Sequence, residues 1–313
     1  MPTSARTNGE TAPALNEEVS DALAPIQKIA EALPIDPEAE ATVDRLVESK
    51  FAGPVRKLIS QAEQDANEEK RLNAGVDSST VVNSKLCELV DLSESEQTAF
   101  QTLRRGYPHL SMSEQCQGHE FRENADLVTA AIAKQTLALA PASKMVVVMP
   151  WRSALAFGKA YQPYGIKGYF HVSARRNHET LLTEADYQSG QIDLNDIVIM
   201  ADPMLATGNT AIDSIERVIA MGISPDNIIV NALVAAPVGI KTIKDRYPSV
   251  RVIVAALDEK LDHRGYIVPG LGDFGDKYFA DFSPTDFTEM TSAMKIDKQS
   301  CQKLAERFNI SPT

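Results

Sequence analysis

The stretch Asp202-Pro203-Met204-Leu205-Ala206-Thr207-Gly208-Asn209-Thr210 puts an acid at the end of an apolar run and follows it with a turn of small residues that opens a helix. Such a turn can wrap backbone N–H groups and the hydroxyls of Thr207 and Thr210 around an anion, with Gly208 free to take a positive φ or to let oxygens approach closely. The positive end of the helix dipole adds to the attraction. Asp202, set beside an anion site, must meet something else, and the hydroxyl groups of a sugar suit it. The plainer alternative is that Gly208 only starts a helix and Asp202 caps it.

Strands and helices must carry this turn. The runs MVVVMP (145–150), GYFHVS (168–173), IVIMA (197–201), IIVNALVA (228–235) and VRVIVAA (250–256) are apolar on both faces and are separated by segments long enough for crossover helices. That texture predicts an α/β fold, a mostly parallel sheet flanked by helices, in which ligands bind beyond the carboxyl ends of the strands. Upstream, residues 1–15 read as a disordered polar tail. Residues 16–118 read as an N-terminal α-helical extension and connector. Helical spacing runs from Val19 to Leu33 and, from Pro37 on, through Val43, Leu46, Phe51, Val55 and Ile59, with Gly53-Pro54 placed to split the second helix. The charge run after Ala66 falls in the connector, which holds one short helix. A helix over 119–140 opens the α/β domain, 119–283, and the stretch 286–308 reads as one C-terminal amphipathic helix within 284–313.

A second stretch, YIVPGLGDFGDKYF (266–279), shares the chain with DPMLATGNT. Together, and in this order, they resemble the base-binding and phosphoribosyl-pyrophosphate loops of the uracil phosphoribosyltransferases, and the resemblance extends over roughly 145–282. It implies a phosphoribosyltransferase-like fold. It also implies that Asp202 holds the ribose hydroxyls while Pro203 to Thr210 cradle the 5′-phosphate. The backbone at Ile267 and at Gly272, Asp273 and Phe274 would pair with the pyrimidine, and Asp273 would lie toward the pyrophosphate and its magnesium. Gly270, Gly272 and Gly275 leave backbone groups exposed enough to read the edge of a flat base.

A leaving pyrophosphate needs fixed positive charge, and arginine's planar fork matches phosphate oxygens. Arg152, after the first strand, and Arg176, after the second, occupy places where the resemblance implies such contacts, with Arg175 the substitute should the register slip by one. The implied chemistry displaces pyrophosphate from C1 of the ribose by a ring nitrogen. Asp202, Arg152 and Asp273 would be its catalytic groups, Mg²⁺ would arrive with the substrate, and no protein metal cage or covalent nucleophile would be required.

The chain also departs from the family pattern. Ala154 and Ala156 stand in the 152–157 loop where bacterial members carry glycines, Asn209 replaces a glycine, His178 an acid, and Ala280-Asp281 the usual Gly-Thr. Only LAPASK precedes the first strand, where the family inserts a β-arm used in dimer contacts. Three readings therefore stand: uracil salvage to UMP, transfer to another heterocyclic base, and a non-catalytic nucleotide-binding regulator.

Composition sets outer bounds. With 31 basic and 43 acidic residues the net charge is -12, which argues against a nucleic-acid backbone binder. No apolar run is long enough for a membrane span, and the first residues lack a signal-peptide pattern, so a cytoplasmic protein without membrane or nucleic-acid partners is expected. Its partners would be small-molecule substrates and a second copy of itself, as a dimer. Cys87, Cys116 and Cys301 are too few and too scattered for a disulfide framework or a zinc site.

Overall fold

Alternate residues of the first strong strand choose opposite sides: Met145, Val147 and Met149 belong to one buried cluster, Val146 and Val148 to another. Each side must therefore be covered, and the result is three layers, helix, sheet and helix. The computed structural model describes residues 52–105, 107, 114–151, 153–176, 183–294 and 296–308. The expectations for 1–51 and for Arg152 and His178 lie outside these residues. The chain divides into two units, Met1–Lys70 and Arg71–Thr313.

Helix α1 (Ala52–Leu72) is followed by α2 (Ser78–Asn83), β1 (Glu88–Leu89), α3 (Glu94–Arg104), α4 (Gly118–Leu137) and β2 (Met145–Pro150). Next come α5 (Ala156–Tyr161), β3 (Gly168–Arg176), β4 (Thr183–Ser189), β5 (Ile197–Ala201) and β6 (Met204–Leu205). The chain continues through α6 (Asn209–Ala220), β7 (Ile228–Ala235), α7 (Pro237–Arg246), β8 (Arg251–Leu257), β9 (Lys260–Leu261), β10 (Ile267–Val268), α8 (Phe274–Tyr278), α9 (Pro284–Ala293) and α10 (Lys298–Phe308). The sheet runs β1-β8-β7-β5-β2-β3-β4 with β6 also on β7, and β9 pairs with β10 separately. Every pairing in the main sheet is parallel except β3 with β4. On one face Phe121, Val128 and Ile132 of α4 join Phe157, Phe274 and Phe287; on the other Ile212, Ile215 and Val218 of α6 join Ile240 and Ile243 of α7.

All five expected strands are present, and the expected mostly parallel sheet flanked by helices is the observed one. Several local expectations are corrected. The charge run assigned to the connector is helical, since α1 continues to Leu72. Its Glu, Lys and Arg residues are good helix formers, and Gln61 bonds Asp65 one turn on at 2.7 Å. Gly53-Pro54 sits in the first turn of α1, where proline's missing N–H costs nothing, and does not split the described helix. Helix α3 was not foreseen, although Ser93 and Glu96 form a capping box that announces it. The C-terminal stretch is two helices rather than one. Helix α9 ends at Ala293, and Asp297 accepts from the N–H groups of Gln299 and Ser300, both at 3.0 Å, to start α10.

The unusual Asp281 has a structural use. Gln117, at the N-cap of α4, offers no side-chain bond; instead the N–H of His119 donates to Asp281 Oδ2 at 2.9 Å and Arg122 pairs with Oδ1. A carboxylate at a helix N-terminus satisfies an orphan N–H and meets the dipole. Asp281→Ala is expected to lower unfolding free energy by about 1 kcal/mol, measured by denaturant titration.

Candidate active site

The strand order fixes where a ligand can sit. From β2 the chain crosses to β3 on one side, then returns over β2 to β5 on the other, so β2 and β5 are neighbours whose connections leave in opposite directions. In open parallel sheets that reversal opens a crevice beyond the strands' carboxyl ends. Trp151 leaves β2 at one wall and Asp202 leaves β5 at the other, with Val148 opposite Met200 in register.

Asp202 is half-buried at this edge, and its N–H donates to the Asn231 carbonyl of β7 at 2.9 Å. Burial pushes its carboxyl up to about 7, against the opposing pull of the Met204 N–H. The next residues turn out to be sheet: the Pro203 carbonyl accepts the N–H groups of Leu233 and Val234, and Met204 and Leu205 pair with Val234 and Ala235. The turn is left with Ala206, Thr207 and Gly208, followed by Asn209 and Thr210, whose side chains are exposed. Gly208 is the N-cap of α6 with φ +84°, and a Cβ there would lie 2.7 Å from the Gly239 carbonyl oxygen. Gly208 has no side chain to cap this helix, and the first helical N–H, of Asn209, meets only Thr207 Oγ1 among the described residues, at 3.5 Å.

The glycine-rich segment lies along the same edge. Leu205 pairs with Ala235, Ala235 with Leu257, and the N–H of Asp258 returns to the Ala235 carbonyl at 2.9 Å. With strands about 4.8 Å apart, roughly 10 Å separates the turn at Leu205 from the root of this loop. The hairpin β9–β10 carries Ile267, buried, and the cis Val268-Pro269 bond. Gly270 follows with φ +64°, where a Cβ would overlap the Ile267 carbonyl, and its N–H donates to buried Asp258 Oδ2 at 2.7 Å. Asp273, exposed, caps the short helix α8 by accepting from Asp276 N–H at 2.8 Å. Phe274 points inward, edge-on to Phe121 with centroids 5.2 Å apart. Its side chain is core, so only its backbone can serve a base.

Arg175 and Arg176 end β3, which runs beyond Pro150 of β2 at the same edge of the sheet. Trp151, just before Arg152, is fixed twice: its backbone N–H donates to Val172 O at 2.8 Å and its indole N–H to His171 Nδ1 at 3.3 Å. Burial drives His171 down to about 4, so its imidazole stays neutral and can accept that bond. Sequence reasoning passed over three residues here. Asp258 and Arg104 form an ion pair behind the loop, and Lys277 is buried with no hydrogen bond from its ammonium among the described residues, 5.0 Å from the Tyr107 ring. Among the described residues no three His, Cys, Asp or Glu side chains converge to hold a metal, and no helix is long and apolar enough to cross a membrane.

Comparison with known proteins agrees with this layout. The family model for uracil phosphoribosyltransferase matches residues 166–280. Uracil phosphoribosyltransferase 1 of Schizosaccharomyces pombe is 52% identical over 82 residues, 26% of this chain and 37% of that one. The uracil phosphoribosyltransferase of Pyrobaculum islandicum is 38% identical over 144 residues, 44% of this chain and 66% of its own. The chain spans about half the length of the curated relatives it matches. In fold it is similar to the AQ2163 protein from Aquifex aeolicus, with TM-score 0.51, 24% identity, and coverage of 62% of this chain and 98% of that one. Fold and sequence matches together define a phosphoribosyltransferase-type domain. Within that class the matched segment, residues 166–280, is similar to the uracil phosphoribosyltransferases.

Proposed function

We propose that the protein transfers a phosphoribosyl group from 5-phosphoribosyl 1-pyrophosphate to uracil, giving UMP and pyrophosphate. One observation carries this reading: a helix N-terminus opened by Gly208, which has no side chain to cap it, lies beside a half-buried acid at the reversal point of the sheet, on the same edge as a glycine-rich loop in which Gly270 and Gly272 take positive φ. In this reading the N–H groups from Thr207 to Thr210 hold the 5′-phosphate, and Asp202 accepts hydroxyl donors of the ribose. The carboxyl of Asp202 responds to its ligand, since hydroxyl groups donating to it favour the charged form that burial disfavours. The backbone at Ile267 and at Gly272 to Phe274 orients the base for attack at C1.

Arg152 and Arg176 would meet the negative charge that grows on the leaving pyrophosphate, where an aligned guanidinium gains most. A magnesium ion entering with the substrate would supply further charge neutralisation there, with Asp273 the acid turned toward it. A cytoplasmic dimer belongs to the same proposal, and light scattering of the purified protein tests the dimer. The activity is tested by incubating protein, uracil, phosphoribosyl pyrophosphate and Mg²⁺ and separating products by chromatography. UMP formed at least about 100-fold above the protein-free rate is the expected result; no UMP above background overturns uracil as the substrate.

A further inference from the structure

The hairpin and loop from Asp258 to Gly272 do not hold themselves. Asn73 reaches them from the turn after α1, its side-chain amide donating to the Leu261 carbonyl at 2.7 Å and its oxygen accepting Leu261 N–H at 2.8 Å. Ser78, at the start of α2, donates its hydroxyl to the Asp258 carbonyl at 2.7 Å. Arg104, the last residue of α3, pairs with Asp258 Oδ1, while Oδ2 of the same buried carboxylate takes the N–H of Gly270. The guanidinium is itself held over the Phe100 ring, 4.7 Å from its centroid. Tyr107 lies against Gly272, where a Cβ would come within 3.0 Å of its ring. All of these residues precede the segment 166–280 that matches the family.

We infer that residues 73–107 act as a brace that sets the height and tilt of the base-reading loop, with Arg104 as its main positioning residue, acting through Asp258 on the Gly270 N–H. The physical case rests on geometry. Gly270 has φ +64° and no room for a side chain, and its buried N–H is aimed at Asp258 Oδ2. An Asp carboxylate can accept on both oxygens; Arg104 occupies one and thereby aims the other. Without the guanidinium, a buried carboxylate loses its counter-charge and turns toward water or takes a proton, and the loop loses its anchor. Among the described residues no hydrogen bond or ion pair links the turn at 206–210 to Arg104, so the brace acts on one substrate and not the other. The inference rests on the proposed function for its kinetic readout only.

The test compares the wild type with Arg104→Met, Arg104→Lys and Asn73→Ala. For Arg104→Met the KM for uracil is expected to rise at least about tenfold while the KM for phosphoribosyl pyrophosphate changes less than about twofold. Arg104→Lys should recover part of the loss, because it restores charge without the planar fork. In parallel, hydrogen exchange in the absence of substrates is expected to be at least tenfold faster at Gly270 in Arg104→Met, with exchange in β5 and β7 unchanged. Asn73→Ala removes two hairpin bonds and no buried charge; it should show a smaller change of the same kind, and it serves should Arg104→Met fail to fold. Unchanged exchange at Gly270 in a folded variant overturns the brace, as does an equal rise of both KM values. If the wild type fails to use uracil, the proposed function falls and exchange at Gly270 alone decides the brace.

Discussion

Asp202→Asn is expected to abolish most turnover while making the ligand-free protein more stable. The amide has almost the shape of the acid but one fewer acceptor and no charge. Losing the charged acceptor proposed to meet the ribose is expected to lower kcat/KM by about 10²- to 10³-fold, measured with saturating uracil and varied phosphoribosyl pyrophosphate. The stability effect runs the other way. In the fold the Asp202 carboxyl is raised to about 7 by burial, whereas in the unfolded chain it titrates near 4. Between those values the folded state binds the additional proton, so this group makes stability fall as pH rises from about 4 to 7 and keeps it lower above. The asparagine lacks that loss. Asp202→Asn should therefore melt higher than the wild type at pH 8, by an increment on the order of 1–2 kcal/mol given the partial exposure of the site, and the gap should close toward pH 4. A variant that is inactive and no more stable at pH 8 would show that the acid is not held in the desolvated position described.

Gly208→Ala is expected to damage both the fold and the phosphate subsite. Its φ of +84° is unfavourable for any residue with a Cβ, and that Cβ would lie 2.7 Å from the Gly239 carbonyl and 3.2 Å from Thr242. The first cost is about 1–2 kcal/mol of backbone strain. The second falls on backbone of α7 rather than on a flexible side chain, so α6 and α7 must part, and a total of about 2–4 kcal/mol follows. Because the N–H groups proposed to hold the 5′-phosphate are the ones displaced, KM for phosphoribosyl pyrophosphate should rise at least about tenfold with the KM for uracil little changed. Calorimetry and steady-state kinetics check the two parts separately. Equal KM effects on both substrates would mean that the turn does not serve the phosphate.

The placement of these two residues was legible in the sequence because it is local: an acid at a strand end and a glycine at a helix start are three-dimensional statements made within seven residues. The five long strands were legible for a similar reason, since parallel strands covered on both faces are apolar throughout. Strand β4, Thr183–Ser189, was not, because TEADYQS has little apolar character and pairs antiparallel with β3 at the sheet's end. The Arg104–Asp258–Gly270 arrangement was invisible for a different reason. Arg104 and Asp258 are 154 residues apart, and no pattern around either differs from an ordinary surface helix or strand end. Only the strand order, which places β1 and β8 side by side, brings them together. Met204 and Leu205 show the reverse case, since a contiguous motif read as one turn contains two residues that pair with β7.

Strand β1 has two residues, yet it matters for the order in which the molecule can be assembled. It lies along β8, with Glu88 opposite Ile253 and a two-pronged ion pair from Arg251 to Glu88 across 163 residues of chain. During synthesis the cover is therefore made long before the edge it shields. β8, with one side otherwise open to pairing with another chain, never leaves the ribosome without its partner already waiting. The cost is a closure that comes late, because the largest sequence separation in the sheet is joined only when four-fifths of the chain exists, and such distant pairings are slow to form. Cutting the chain between β1 and β2 would break that timing, leaving a sheet domain with a bare edge strand and a tendency to aggregate before its glycine-rich loop is shaped.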